Sequence, residues 1–318
     1  MEIQYVMALI LGSLLLTMYA LSTIQVKLAS GHYLPAVTSL FKREFEIYAL
    51  KYTVIWIVIF GVVVILKLWK QFEAIHYMIL CVSLSLPFLL QPILYPLPSE
   101  IKLPLFERYS FKANLWISIF SFIGNYWYTH YFYHVLGAQY LFPAHRLNDV
   151  PIALYFATHF YFITYHTFSN LILRKIETTY KKSFNRTILF WFTVFAFSYF
   201  TAFMETLTIS SFEYYDFKED KDQVYKVGSA FYGLYFIVSF PLFYRLDKDI
   251  NSDTGEAIAS KRIQRYSIFQ VIIEVLGTSM AVLMLLDVFR LLLDRDLIIR
   301  GKLYELTPLK TEIGTFNI

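Results

Sequence analysis

Glu205 sits inside an apolar run, residues 187–212, with Thr201 and Thr208 about one helical turn away on either side. Burial in such surroundings penalises a charged carboxylate, so this group is expected to hold its proton and to act as an acid. The competing reading is a neutral glutamate that hydrogen-bonds a neighbouring helix. Upstream, His159, His166 and Asn170 are spaced seven and four residues apart. At about 100° per residue they fall within about 20° of one direction and form a polar stripe about 16 Å long. That stripe suits proton transfer or polarisation of a ligand; equally, its histidines can donate to neighbouring carbonyls and hold helices together. A metal site is the weaker reading, because helical ligands usually sit three or four residues apart.

Further polar groups lie in the preceding apolar run. Asn114, Ser118, Ser121 and Asn125 form one stripe; Tyr126, His130, Tyr133 and His134 form another. His130 points about 140° away from Asn125, so both stripes line one narrow pocket only if the helix breaks near Gly124. The second stripe also fits an aromatic belt at a membrane surface. Near the end of the last apolar run, Asp287 and Arg290 have the spacing of an ion pair on one helix, with room for the arginine to snorkel. A structural pair is the first reading there and a substrate gate the second.

The elements that must position these groups are membrane helices. With 57% hydrophobic residues, 16% charged residues and a mean hydropathy of +0.50, a soluble domain is excluded. The expected fold is an all-α polytopic membrane bundle of about eight transmembrane helices, near residues 5–25, 48–69, 74–97, 113–136, 151–173, 187–212, 225–244 and 268–293. Residues 1–40 read as an extra membrane segment and linker, 41–293 as the catalytic bundle and 294–318 as a tail. The amino-terminal run has no basic flank and is long, which argues against a cleaved signal peptide. Lys and Arg concentrate in the loops after the first, third, fifth and seventh segments, which assigns those loops to the cytoplasm; the cations from Arg290 onward oppose that assignment. The sequon Asn185-Arg186-Thr187 then lies on the cytoplasmic side, where no glycan is expected. One cysteine, Cys81, leaves no internal disulfide or redox pair. Net charge of +4 without a long basic run gives no case for nucleic-acid binding. Basic loops beside the membrane more simply attract anionic headgroups.

Many of these residues occur in ordered motifs: Lys112-Ala113-Asn114-Leu115-Trp116, Gly124-Asn125-Tyr126, Thr129-His130-Tyr131-Phe132, Asn148-Asp149-Val150-Pro151, Thr158-His159, Tyr165-His166, Ser169-Asn170, Glu205-Thr206 and Tyr235-Phe236-Ile237-Val238-Ser239-Phe240-Pro241. With Tyr214-Tyr215 and Asp287 they resemble the cycloeucalenol cycloisomerase family of sterol synthesis, from about Phe45 to Leu293. The resemblance implies an isomerase that opens the 9,19-cyclopropane ring of a cyclopropyl sterol to leave an 8(9) double bond, as in obtusifoliol. It also implies residence in the endoplasmic reticulum membrane, with no redox cofactor and no metal.

A cyclopropane is a very weak base, so ring opening needs a dry, well-aimed acid, for which Glu205 is the candidate. A base must then remove the proton at carbon 8, and His159 and His166 are the candidates for it or for a relay. Asn125, His130 and Asn170 are candidate orienting groups. Tyr214, Tyr215, Asp287 and Arg290 are candidates for the sterol 3-hydroxyl.

Two other function classes remain open. Polar stripes inside a bundle also suit a transporter or channel, and Ser85-Leu86-Pro87-Phe88-Leu89 and Ser239-Phe240-Pro241-Leu242-Phe243 take matching places in two four-segment halves. A non-catalytic sterol-binding protein would share the greasy pocket but has no use for an acid. Nothing in the chain decides oligomeric state.

Overall fold

In the computed structural model, the described residues are 3–135, 137–210, 213–217, 228–247, 265–293, 297–299 and 302–304. Helices α1 (Ile3–Thr23), α2 (Leu40–Ile65), α3 (Ala74–Leu94), α4 (Tyr109–Ile123), α5 (Thr129–Val135), α6 (Ile152–Thr179), α7 (Phe184–Ser210), α8 (Ser229–Arg245) and α9 (Ile268–Leu292) make up most of them. Short antiparallel ribbons connect some of these: β1 (Ala138–Tyr140) with β4 (Tyr215–Phe217), β2 (Arg146–Leu147) with β3 (Val150–Pro151), and β5 (Leu297–Ile299) with β6 (Lys302–Tyr304).

Among the described residues, five helices, α1, α2, α3, α7 and α9, are long and apolar enough to cross a membrane. Their outward faces carry exposed Val54, Ile55, Val58, Ile273 and Met284, apolar surface that suits lipid rather than water. The other three expected segments are also helical, and each departs from a plain span for a physical reason. The fourth is interrupted, because α4 passes into a single π-helical turn, Gly124–Tyr128, before α5. The fifth, α6, has 28 residues but is diluted by its histidines, threonines and asparagine. The seventh, α8, has 17 residues, short of the roughly 20 that cross a hydrocarbon core straight.

Helix α6 is the axis of the bundle and touches α2, α3, α4, α7 and α8. Aromatic residues fill the space around it: Trp116, Phe120, Phe160, Phe236 and Phe240 are all fully buried. Helix α9 packs on α4 and α8 and starts with a reciprocal cap, Gln270 N–H donating to Ser267 Oγ while Ser267 N–H donates to Gln270 Oε1. Helix α1 leans on α7 through Met7, Tyr199 and Phe203, and its other described side chains are partly or fully exposed.

Two connections bear on the site. The β2–β3 hairpin turns through Asn148 and Asp149, both with positive φ, the backbone a two-residue hairpin demands. Its Asn148 side chain donates to the Tyr126 carbonyl in the π turn at 2.7 Å and to His130 Nε2 at 2.9 Å. The hairpin therefore braces the irregular turn from outside. The β1–β4 ribbon carries Tyr140 to the same end of the bundle.

At the opposite end, charged side chains are buried. Arg174 forms a two-pronged pair with Glu46, at 2.7 and 2.8 Å, and Asn170 donates to the same carboxylate at 3.0 Å. Lys112 meets Asp247 at 2.6 Å, while Lys42 donates to the carbonyls of Tyr244 and Leu246. Asp247 also accepts from the Tyr266 N–H, which ties the end of α8 to the start of α9.

Candidate functional site

The π turn is where the site begins. One extra residue in the turn shifts the side chains after Gly124 around the axis relative to those before it, yet the second polar stripe, Tyr126, His130, Tyr133 and His134, does not line the cavity. Asn125, Thr129 and Phe132 then face a common cavity. Helix α6 adds Thr158 and Phe162, α7 adds Glu205 and Thr206, and α8 adds Tyr232 and Tyr235, with Tyr140 from the ribbon. The cavity opens at a mouth, and the space including open solvent there is about 600 Å³. Thr158, Glu205 and Tyr232 sit three to six residues from the ends of their helices, so the cavity lies roughly 5–9 Å below one end of the bundle.

Glu205 is partly buried and its carboxyl faces Tyr232, whose hydroxyl donates to it with both carboxyl oxygens 2.9 Å away. The Tyr165 phenol from α6 interacts with the same carboxyl. Tyrosines aside, Glu205 is the one ionisable residue among the described residues lining the cavity. Phenyl and phenol rings make up much of the remaining wall, and such faces attract a developing positive charge. Asn125 is held rigidly: its amide nitrogen donates to the Ser121 carbonyl at 2.8 Å and to Thr158 Oγ1 at 2.7 Å.

The histidines occupy a different layer. His159 and His166 share the buried face of α6, as their spacing requires, yet neither lines the cavity. His159 contacts Asn114 Oδ1 at 3.0 Å through Nε2 and Ser118 Oγ at 3.3 Å through Nδ1. His166 donates from Nδ1 to the Phe162 carbonyl at 2.7 Å, which leaves Nε2 to accept from the Ser239 hydroxyl at 2.9 Å. Each imidazole therefore has both nitrogens engaged by protein, α6 to α4 in one case and α6 to α8 in the other.

The remaining candidates are dispersed. Asn170 belongs to the buried Glu46–Arg174 cluster. His130 is buried against the Asn148 hairpin. Tyr214 packs edge-on against Trp69, and the Tyr215 side chain lies outside the described residues. Asp287 and Arg290 form the expected pair at 2.9 Å, and the Tyr131 hydroxyl donates to Asp287 at 3.2 Å. Arg290 does not snorkel; it is 1% exposed. The two Ser-x-Pro motifs also serve different ends, Ser85 donating to the Phe156 carbonyl and Ser239 to His166. Sequence reading missed Tyr232, since one tyrosine among 26 carries no distinguishing local pattern, and it quoted Tyr165 and Thr158 within motifs without giving them a role.

Among the described residues no three His, Cys, Asp or Glu side chains cluster to hold a metal ion. The comparisons with known proteins agree with the motifs. No family model matches the chain, and no solved structure matches it. Cycloeucalenol cycloisomerase of Arabidopsis thaliana is 38% identical over 260 residues, 79% of this chain and 86% of that protein. That similarity spans the elements that build the cavity, and the chain is a member of the cycloeucalenol cycloisomerase family and an isomerase.

Proposed function

We propose that this protein opens the 9,19-cyclopropane ring of a cycloeucalenol-type sterol to give an 8(9)-unsaturated sterol of the obtusifoliol type. The observation that carries the reading is Glu205 on the wall of a cavity lined by aromatic rings, in a chain of this family. Glu205 gives its proton to carbon 19, and the electrons of the breaking bond between carbons 9 and 19 form the new C–H bond. The resulting tertiary cation at carbon 9 faces the rings of Phe132, Phe162 and Tyr235. Loss of the proton on carbon 8 places its bonding electrons between carbons 8 and 9.

Because carbons 8 and 19 are both bonded to carbon 9, one group can reach both. The carboxylate left by the first transfer takes the second proton, so Glu205 ends each cycle as it began. In this scheme His159 and His166 position α6 against α4 and α8 and do not touch substrate.

The protein acts within a membrane, with all eight helical segments embedded, and we assign it to the endoplasmic reticulum because its substrate is a sterol intermediate. The substrate enters from the bilayer, in keeping with the shallow depth of the cavity. The test is to express the chain in yeast that makes no cyclopropyl sterol, supply cycloeucalenol and look for obtusifoliol by mass spectrometry. Conversion absent from the vector control supports the reading; recovery of unchanged cycloeucalenol from cells holding folded protein refutes it.

A further inference from the structure

Asn125 is 5% exposed, and its orientation is settled by its neighbours. An amide nitrogen has two hydrogens, and both are used, on Ser121 O and Thr158 Oγ1. Thr158 spends its own hydrogen on the Leu154 carbonyl at 2.9 Å, so its oxygen can only accept from Asn125. Exchanging the amide's oxygen and nitrogen would set oxygen against the Ser121 carbonyl, two acceptors with no hydrogen between them. The amide oxygen is therefore what remains for the cavity, and no described residue donates to it. The cavity's other threonine hydroxyls differ: Thr129 and Thr206 donate back to carbonyls of their own helical segments, Gly124 and Ala202.

A buried acceptor covered by hydrocarbon loses the water it had and gains nothing, so a ligand that fills this cavity must bring a donor to it. The proposed substrate has one donor, the hydroxyl on carbon 3, one ring away from the cyclopropane. We propose that Asn125 Oδ1 accepts the hydrogen bond of the sterol 3-hydroxyl and makes the enzyme selective for the free alcohol over the 3-ketone and the 3-methyl ether. This rests on the ring-opening function and adds a direction to it: the site reads a donor. A site that reached carbon 3 with its own hydroxyl would accept the ketone and the ether as well.

The experiment measures kcat/KM of the full-length protein in membranes for cycloeucalenol, its 3-ketone and its 3-methyl ether. The wild type is expected to favour the alcohol about 10- to 100-fold over both, the consequence of one buried acceptor left unmet. In Asn125→Leu that ratio is expected to fall towards one, whatever happens to the absolute rate. A purely structural role for Asn125 would slow all three substrates alike and leave the ratio unchanged, which overturns the proposal. Equal turnover of all three by the wild type overturns it without any variant. Turnover of none of them instead defeats the ring-opening function itself.

Discussion

Tyr232 places its hydroxyl 2.9 Å from both oxygens of Glu205, so one phenol proton is shared across the carboxyl face. The residues lie on neighbouring helices, α7 and α8, and meet at the cavity wall. Such a donor helps a carboxylic acid release its proton, because the carboxylate it leaves is already solvated by protein.

Removing that donor is the first consequence to test. Tyr232→Phe keeps the ring and its edge contacts with Phe132, Tyr235 and Phe236, so the fold is expected to survive. Loss of one hydrogen bond of about 1–2 kcal/mol to the departing charge should lower kcat roughly tenfold, with KM little changed. Steady-state kinetics on membranes holding equal folded protein give the answer. An unchanged kcat would remove Tyr232 from the proton transfer.

His166 sits among Trp116, Phe240 and Phe243 with both nitrogens bonded. His166→Gln should lower the thermal unfolding temperature, since it disturbs a fully buried aromatic layer. Activity per folded molecule should fall far less than the about 10²–10⁴-fold that losing a general base costs. A loss of that larger size at normal stability would return the imidazole to the chemistry.

At the other end of the bundle, Arg174→Met strands Glu46, 1% exposed, with the Asn170 amide as its remaining bond among those described above. Breaking a buried pair from one side costs about 3–5 kcal/mol. The double variant with Glu46→Gln should recover most of that loss. Thermal unfolding in detergent measures both. A single variant as stable as the double would mean that the pair contributes little.

The Glu205 carboxyl inside the bundle and the membrane-helix class were legible because each is a local property: a carboxyl within an apolar run, and summed hydropathy. The Asp287–Arg290 pair was legible for the same reason. Partners were not. Arg174 finds Glu46 across 128 positions, and His166 finds Ser239 across 73; no periodicity relates them. The histidine stripe shows the limit well, since its direction on α6 follows from spacing, whereas what stands opposite depends on where α4 and α8 pack. The hydropathy pattern likewise marked eight segments, but could not reveal that one of them holds a π turn and another is a turn too short.

Glu205→Gln tests the central claim most directly, because the amide keeps the size of the side chain and removes its transferable proton. In yeast supplied with cycloeucalenol, and normalised to folded protein with wild-type thermal unfolding, the variant should form obtusifoliol at least about 10²-fold more slowly than the wild type. A rate within tenfold of the wild type would show that another group delivers the proton, and the mechanism built on Glu205 would be wrong.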